Sequence, residues 1–174
     1  MLVSPHFLFR VEIDSQPHDP KVVRSLNDYE VASRMSYFLW SSMPDDELLE
    51  MARKKSLRKR SVIEAQVKRM LADGKSRAFI KTFAAHWLGT RTMRLVTPDV
   101  ATFPEFDEKL RDAMCRETEL FFEEVMSKDL SILLFIDSDF TFLNQRLAEH
   151  YGIPGVRGEK LRRVALKDRR RGGV

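Results

Sequence analysis

Thiols are almost absent from this chain. Its single cysteine, Cys115, rules out an internal disulfide, a metal site built from several thiolates and the Cys-x-x-Cys-His attachment of a c-type haem. Cys115 falls inside a predicted helix, where a buried, inert thiol is the expected state. Glycine and proline are also scarce, seven of each in 174 residues, which argues against a turn-rich β fold and for long helices. No stretch approaches the roughly 18 apolar residues of a membrane span. The first residues, Met-Leu-Val-Ser-Pro-His-Phe-Leu-Phe-Arg, lack the charged start, long apolar run and small-residue cleavage site of a signal peptide. There is no Gly-rich phosphate loop, no Gly-x-Ser-x-Gly elbow, no internal repeat and no low-complexity segment.

What is present describes a globular protein of one domain's length, 43% hydrophobic and 32% charged. The net charge of +4 is unevenly spread. Residues 157–171 hold eight Lys or Arg against Glu159 and Asp168, a balance of +6 that leaves the remaining chain at −2. A basic tail on a slightly acidic body is not the pattern of a nucleic-acid-binding fold, whose positive charge covers a face. Nucleic acid is therefore the less favoured partner, and a solvated or partner-facing end the more favoured reading of Arg162, Arg163, Arg169, Arg170 and Arg171.

The stretch 26–52 organises the rest. Asn27 with Glu30 forms a capping-box opening, and Val31, Met35, Phe38 and Leu39 then draw an apolar stripe along a helix. Trp40 stands where that helix ends. Pro44 suits the first turn of the next helix, and Asp45, Asp46 and Glu47 place negative charge at its positive end.

Further along, Arg53 to Arg60 reads as a solvated linker, and Ser61 with Glu64 as a second capping box. Ile63, Val67, Met70 and Leu71 line the helix that follows, which stops at Asp73-Gly74. A helix over about 76–88 carries Phe79, Ile80, Phe83 and Trp87 and is expected to lie deepest. Residues 90–104, with Pro98 and Pro104, read as a wrapping loop. A long helix is predicted over 105–127, with Phe106, Leu110, Met114, Phe121 and Val125 on its apolar side. Asp129 is placed to cap a short turn through Ile132 and Leu133. Residues 137–144 read as a connection rich in local side-chain hydrogen bonds, followed by a last helix over 144–150. Lys160 to Leu166 fits a short strand without an evident partner. The fold expected is all-α, a single domain of about six helices with a short strand near the C-terminus.

Candidate chemistry is sparse. His6, His18, His86 and His150 are scattered, with no i, i+4 metal pair. His86 reads first as a core histidine and His150 as a helix-end cation. Glu117 is the notable acid, because its spacing from Met114 and Phe121 puts it on the apolar side of its helix, where a carboxylate must be paired, protonated or functional. Arg116 and Arg34 are its candidate partners. Glu117, His86 and Asn144 are the candidate catalytic or polar site residues. Asp137 and Asp139, with Asn144, are the candidate oxygen ligands for a cation, although the reading favoured is that no metal is bound. Asp45, Asp46 and Glu47 lack the alternation of a calcium loop and are read as serving the helix dipole.

The motif Asp28-Tyr-Glu-Val-Ala-Ser-Arg34-Met-Ser-Tyr37-Phe38-Leu39-Trp40-Ser-Ser-Met-Pro44-Asp45-Asp46-Glu47-Leu resembles a domain of unknown function from large planctomycete proteins. Phe83-Ala-Ala-His86-Trp87-Leu88, Phe103-Pro-Glu-Phe-Asp107, Phe142-Leu-Asn144-Gln-Arg-Leu147-Ala-Glu-His150-Tyr151-Gly-Ile153 and the closing Arg171-Gly-Gly extend the resemblance over nearly the whole chain. It departs from the family's pattern at His86, where Gln is more usual, and at Phe140, where Tyr is.

The resemblance implies neighbours that are c-type cytochrome modules, a secreted or periplasmic multidomain parent, and haem c carried elsewhere in that parent with no cofactor in this chain. It supplies no catalytic residue. The organisation expected on this basis is a tail of a preceding domain at 1–13, a linker at 14–25, a helical domain at 26–156 and a basic lead-in to a following domain at 157–174. The functional expectation is a structural or interaction module that packs on sister domains of the same polypeptide. The alternative is a contribution of polar residues to an oxidoreductase or hydrolase site completed by its neighbours.

Overall fold

A computed structural model describes residues 12, 19, 21, 23–167 and 172–174. The expectations for most of 1–25, for His6 and His18, and for Arg169, Arg170 and Arg171 fall outside the described residues. The chain divides into two compact units, Met1–Ser76 and Arg77–Val174.

In the first unit, helix α1 (Asp28–Trp40) opens on the predicted capping box: the Glu30 N–H donates to Asn27 at 2.9 Å and the Asn27 N–H to the Glu30 carboxylate at 2.8 Å. It closes at Ser41, whose left-handed backbone returns its N–H to the Tyr37 carbonyl. The buried side of α1 is Asp28, Ala32, Ser36, Leu39 and Trp40, not the stripe through Val31, Met35 and Phe38. The small side chains of Ala32 and Ser36 permit the close backbone approach that dense packing demands, and Phe38 is left exposed.

Helix α2 (Asp46–Arg53) is capped by Asp45, which accepts the Leu48 N–H at 3.0 Å. The segment read as a solvated linker is anchored instead, since Leu57 within it is fully buried. Helix α3 (Arg60–Ala72) starts without a side-chain cap. The predicted Ser61–Glu64 box does not form, because Ser61 is already helical and Arg60 holds Glu64 at 2.8 Å across one turn.

Polar side chains tie this unit together. Asp28 is buried and accepts the Leu57 N–H at 2.9 Å, the Arg58 N–H at 3.3 Å and the Arg58 guanidinium at 2.9 Å. The Trp40 indole donates to the Met70 carbonyl at 2.9 Å, with the Lys75 ammonium 4.6 Å from its ring centroid. Arg69 grips Asp45 with two hydrogen bonds of 2.7 and 3.1 Å, which hold the Asp45 carboxyl below its usual range.

In the second unit the backbone of residues 77–87 is helical but irregular: α4 (Arg77–Phe79), a π turn (Ile80–Ala84) and α5 (Ala85–Trp87). Phe79, Phe83 and Trp87 share one face, with successive ring centroids 4.8 and 6.0 Å apart, and all three meet Phe122, but they lie at the edge of the core. Only Ile80, Ala84 and Ala85 of this run are buried, and Trp87 is exposed. The expectation that this helix lies deepest is thereby corrected.

The deepest helix is α7 (Glu108–Ser127), capped by Asp107 through the Leu110 N–H at 2.7 Å, with Leu110, Ala113, Cys115, Phe121, Phe122 and Val125 buried. Before it, Thr90–Met93 forms a helical turn, α6, inside the predicted loop. After it, Ile132–Phe135 makes a 3₁₀ turn capped by Ser131 and not by Asp129.

The strand read without a partner has one. Strand β1 (Phe140–Leu143) lies in the segment taken as a connection and pairs antiparallel with β2 (Arg162–Ala165), Phe140 opposite Ala165 and Leu143 opposite Arg162. The all-α expectation thus becomes a mostly helical chain with a short two-stranded antiparallel sheet. Helix α8 (Gln145–His150) follows β1 directly. Phe121 stacks on Phe140 at 5.0 Å between centroids, which fixes the sheet on α7.

Candidate functional site

Glu117 is where the second unit gathers its polar chemistry. Its place on the inward-leaning side of α7 follows from the helical spacing, but its partners come from elsewhere in the chain. The Thr141 hydroxyl of β1 donates to one carboxylate oxygen, and the Tyr151 hydroxyl, just beyond α8, donates to the other at 2.9 Å. Neither expected arginine takes that role. Arg116 is adjacent in sequence and therefore points away around the helix, bonding Glu119 at 2.7 Å. Arg34 pairs with Glu12 in the first unit.

Around Glu117 lies a cleft of about 440 Å³, walled by Met93 and Met114 on its apolar side and by Gly172, Gly173 and Val174 on another. The two hydroxyl donors fix the half-buried Glu117 carboxylate in place as an acceptor.

The other candidates are not brought to this cleft. His86 is exposed on α5. Asn144 caps α8, accepting the Leu147 N–H at 2.9 Å and donating to the Glu159 carbonyl at 3.2 Å. It also lines a separate cleft of about 700 Å³ whose charges are mixed, with Lys109, Arg116 and Arg146 facing Asp112 and Glu149. Asp137 and Asp139 are exposed. Among the described residues, no group of three or more His, Cys, Asp or Glu converges to hold a metal ion.

Cys115 is buried, its thiol directed at the Thr90 carbonyl at 3.7 Å, and burial pushes it up from its usual range, as an inert thiol requires. In the basic end, Arg163 lies 4.0 Å from the Phe140 ring centroid and 3.6 Å from Glu124, so part of that charge serves the sheet. No helix among the described residues is long and apolar enough to cross a membrane.

Sequence reasoning missed Thr141 and Tyr151. The signal for Thr141 was the alternation Phe-Thr-Phe-Leu, which reads as a strand once its partner is known. Tyr151 had only a helix end to recommend it. Also missed was an exposed apolar ridge. Ile132, Leu133 and Ile136 are 75%, 66% and 77% exposed around the 3₁₀ turn, and Trp87, 58% exposed, meets that turn edge-on at Phe135 with 5.8 Å between ring centroids.

Residues 26–153 match the model of a family described as a protein of unknown function (DUF1592). The match covers most of the chain, which therefore belongs to that family. No curated protein and no solved structure shows significant similarity to it.

Proposed function

We propose that this chain is a non-catalytic structural or interaction module of a larger, exported, cytochrome-associated protein, packed against sister domains of the same polypeptide. The observation that carries this is the ridge formed by Ile132, Leu133, Ile136 and Trp87. Large apolar side chains exposed side by side mark a surface that is covered in use. The domain limits 1–13, 14–25, 26–156 and 157–174, the periplasmic or secreted setting and the planctomycete parentage belong to the same proposal and rest on the family resemblance. Haem c would be carried by a neighbouring domain, because one buried cysteine does not fit covalent haem attachment.

The test is dye binding. The chain should raise the fluorescence of a hydrophobic dye, and the combined substitution Ile132→Ser, Leu133→Ser and Ile136→Ser should abolish most of that signal without altering the circular dichroism. A monodisperse chain that binds no dye would remove the proposal.

Glu117 favours a second reading, in which this chain lends a positioned carboxylate to an oxidoreductase or hydrolase site completed by its neighbours. Glu117→Gln in the full-length parent keeps the shape and removes the charge. Undiminished turnover would eliminate the idea.

A further inference from the structure

Gly172 and Gly173 run against the backbone of residues 135–138 at a distance no other residue type tolerates. A Cβ on Gly172 would lie 2.7 Å from the Ser138 carbonyl oxygen and 3.1 Å from its nitrogen. On Gly173, whose φ is +95°, it would lie 2.6 Å from the Phe135 oxygen and 2.8 Å from that of Ile136. The Val174 N–H donates to the Phe135 carbonyl at 3.1 Å, which pins the end of the segment in the same place. A close backbone approach combined with a positive φ is the circumstance in which glycine is required. These three residues also form one wall of the Glu117 cleft.

We propose that Gly172–Val174 is a strap seated on residues 135–138 that covers Glu117, so that access to this carboxylate depends on whether the strap is docked. Among the described residues, a backbone hydrogen bond and the fit of two side-chain-free residues seat it. Val174 is 52% exposed, and surface segments open at lower cost than a buried core. The strap also joins two features otherwise unrelated, because its docking site is the same turn that carries the exposed ridge. A partner that displaced the turn's backbone would unseat the strap and uncover the carboxylate. Docking of the strap is set by backbone geometry, whether the module is catalytic or not.

Carbodiimide-mediated coupling of an amine to surface carboxylates, read by peptide mass spectrometry, measures access to Glu117 directly. Glu119, two residues along α7, serves as the internal reference. Gly173→Ala should raise the labelling rate of Glu117 several-fold and leave Glu119 unchanged. A chain ending at residue 171, which removes the strap without adding a Cβ, should do the same, and it decides the matter if Gly173→Ala does not fold. Gly155→Ala is the control, since Gly155 has a similar φ of +89° but open space around it. Its rates should match the unaltered chain. Equal Glu117 labelling with the strap present and removed would overturn the proposal.

Discussion

The two compact units supplement their apolar burial differently. Unit Met1–Ser76 buries Leu48, Leu57 and Met70 and adds directed polar contacts between residues distant in sequence: Asp28 to Leu57 and Arg58, Trp40 to Met70, and Asp45 to Arg69. Unit Arg77–Val174 relies on aromatic mass around α7, where Phe121, Phe122, Phe135 and Phe140 meet at centroid separations of 5.0 to 5.7 Å. Directed bonds specify geometry at modest net stabilisation, whereas apolar burial supplies most of the free energy and little direction. Both units expose large apolar side chains, the first at Phe38 and Met43 and the second at Trp87, Ile132 and Ile136. In the second unit the exposed Trp87 is continuous with the buried aromatic cluster through Phe122 and Phe135.

The sharpest break of this comparison is Phe121→Ala. Phe121 is essentially unexposed and stacked on Phe140, so its truncation should cost roughly 3–5 kcal/mol in a denaturant melt. The loss should fall on the second unit and be read as lost protection of α7 and β1 amides in hydrogen exchange.

Next is Asp28→Ala, which leaves the Leu57 N–H without its buried acceptor and should cost about 1–3 kcal/mol, confined to the first unit. A loss under half of the Phe121→Ala value would agree with the contrast drawn here. Equal losses would erase it.

Acid provides a smaller and more selective probe. The Asp45 carboxyl is held below its ordinary value of 3.8, first by its hydrogen bonds to Arg69. A lowered folded-state value means that the stabilisation is fully present above 3.8 and is lost as pH falls through the lowered value. The first unit should weaken in that acid range, and Asp45→Asn should flatten the decline. Trp40 emission reports it, since Arg69 lies 5.5 Å from the Trp40 ring centroid. The smallest effect belongs to Ser61→Ala, which removes no cap and should change stability by less than about 0.5 kcal/mol.

Legibility in the sequence followed the range of the interaction. The Asn27–Glu30 box joins residues three apart and was readable, as were the helix stops at Trp40 and near Asp73. The π turn was not, because nothing in Ile-Lys-Thr-Phe-Ala marks an i→i+5 hydrogen-bond pattern, and Phe83 and Trp87 lie nearer the surface than their apolar character suggests. The pairing of β1 with β2 spans about twenty residues and shows only when both strands are placed. At the candidate site, the leaning of Glu117 toward the interior was legible from helical spacing. Its partners lie 24 and 34 residues away and were not. The glycine pair at 172–173 was visible as letters, but its reason lies in backbone contacts that no local pattern encodes.

The proposed packing on sister domains requires that the ridge around Trp87 be covered in the parent protein. Fluorescence quenching by a small neutral quencher tests it directly, because Trp40 is shielded and Trp87 is exposed. Emission from the chain alone should show one readily quenched and one protected tryptophan. Addition of the flanking segments of the parent polypeptide should protect the second, saturably, and the triple serine substitution of the ridge should prevent it. Trp87 remaining fully quenchable at saturating amounts of those segments would contradict the claim.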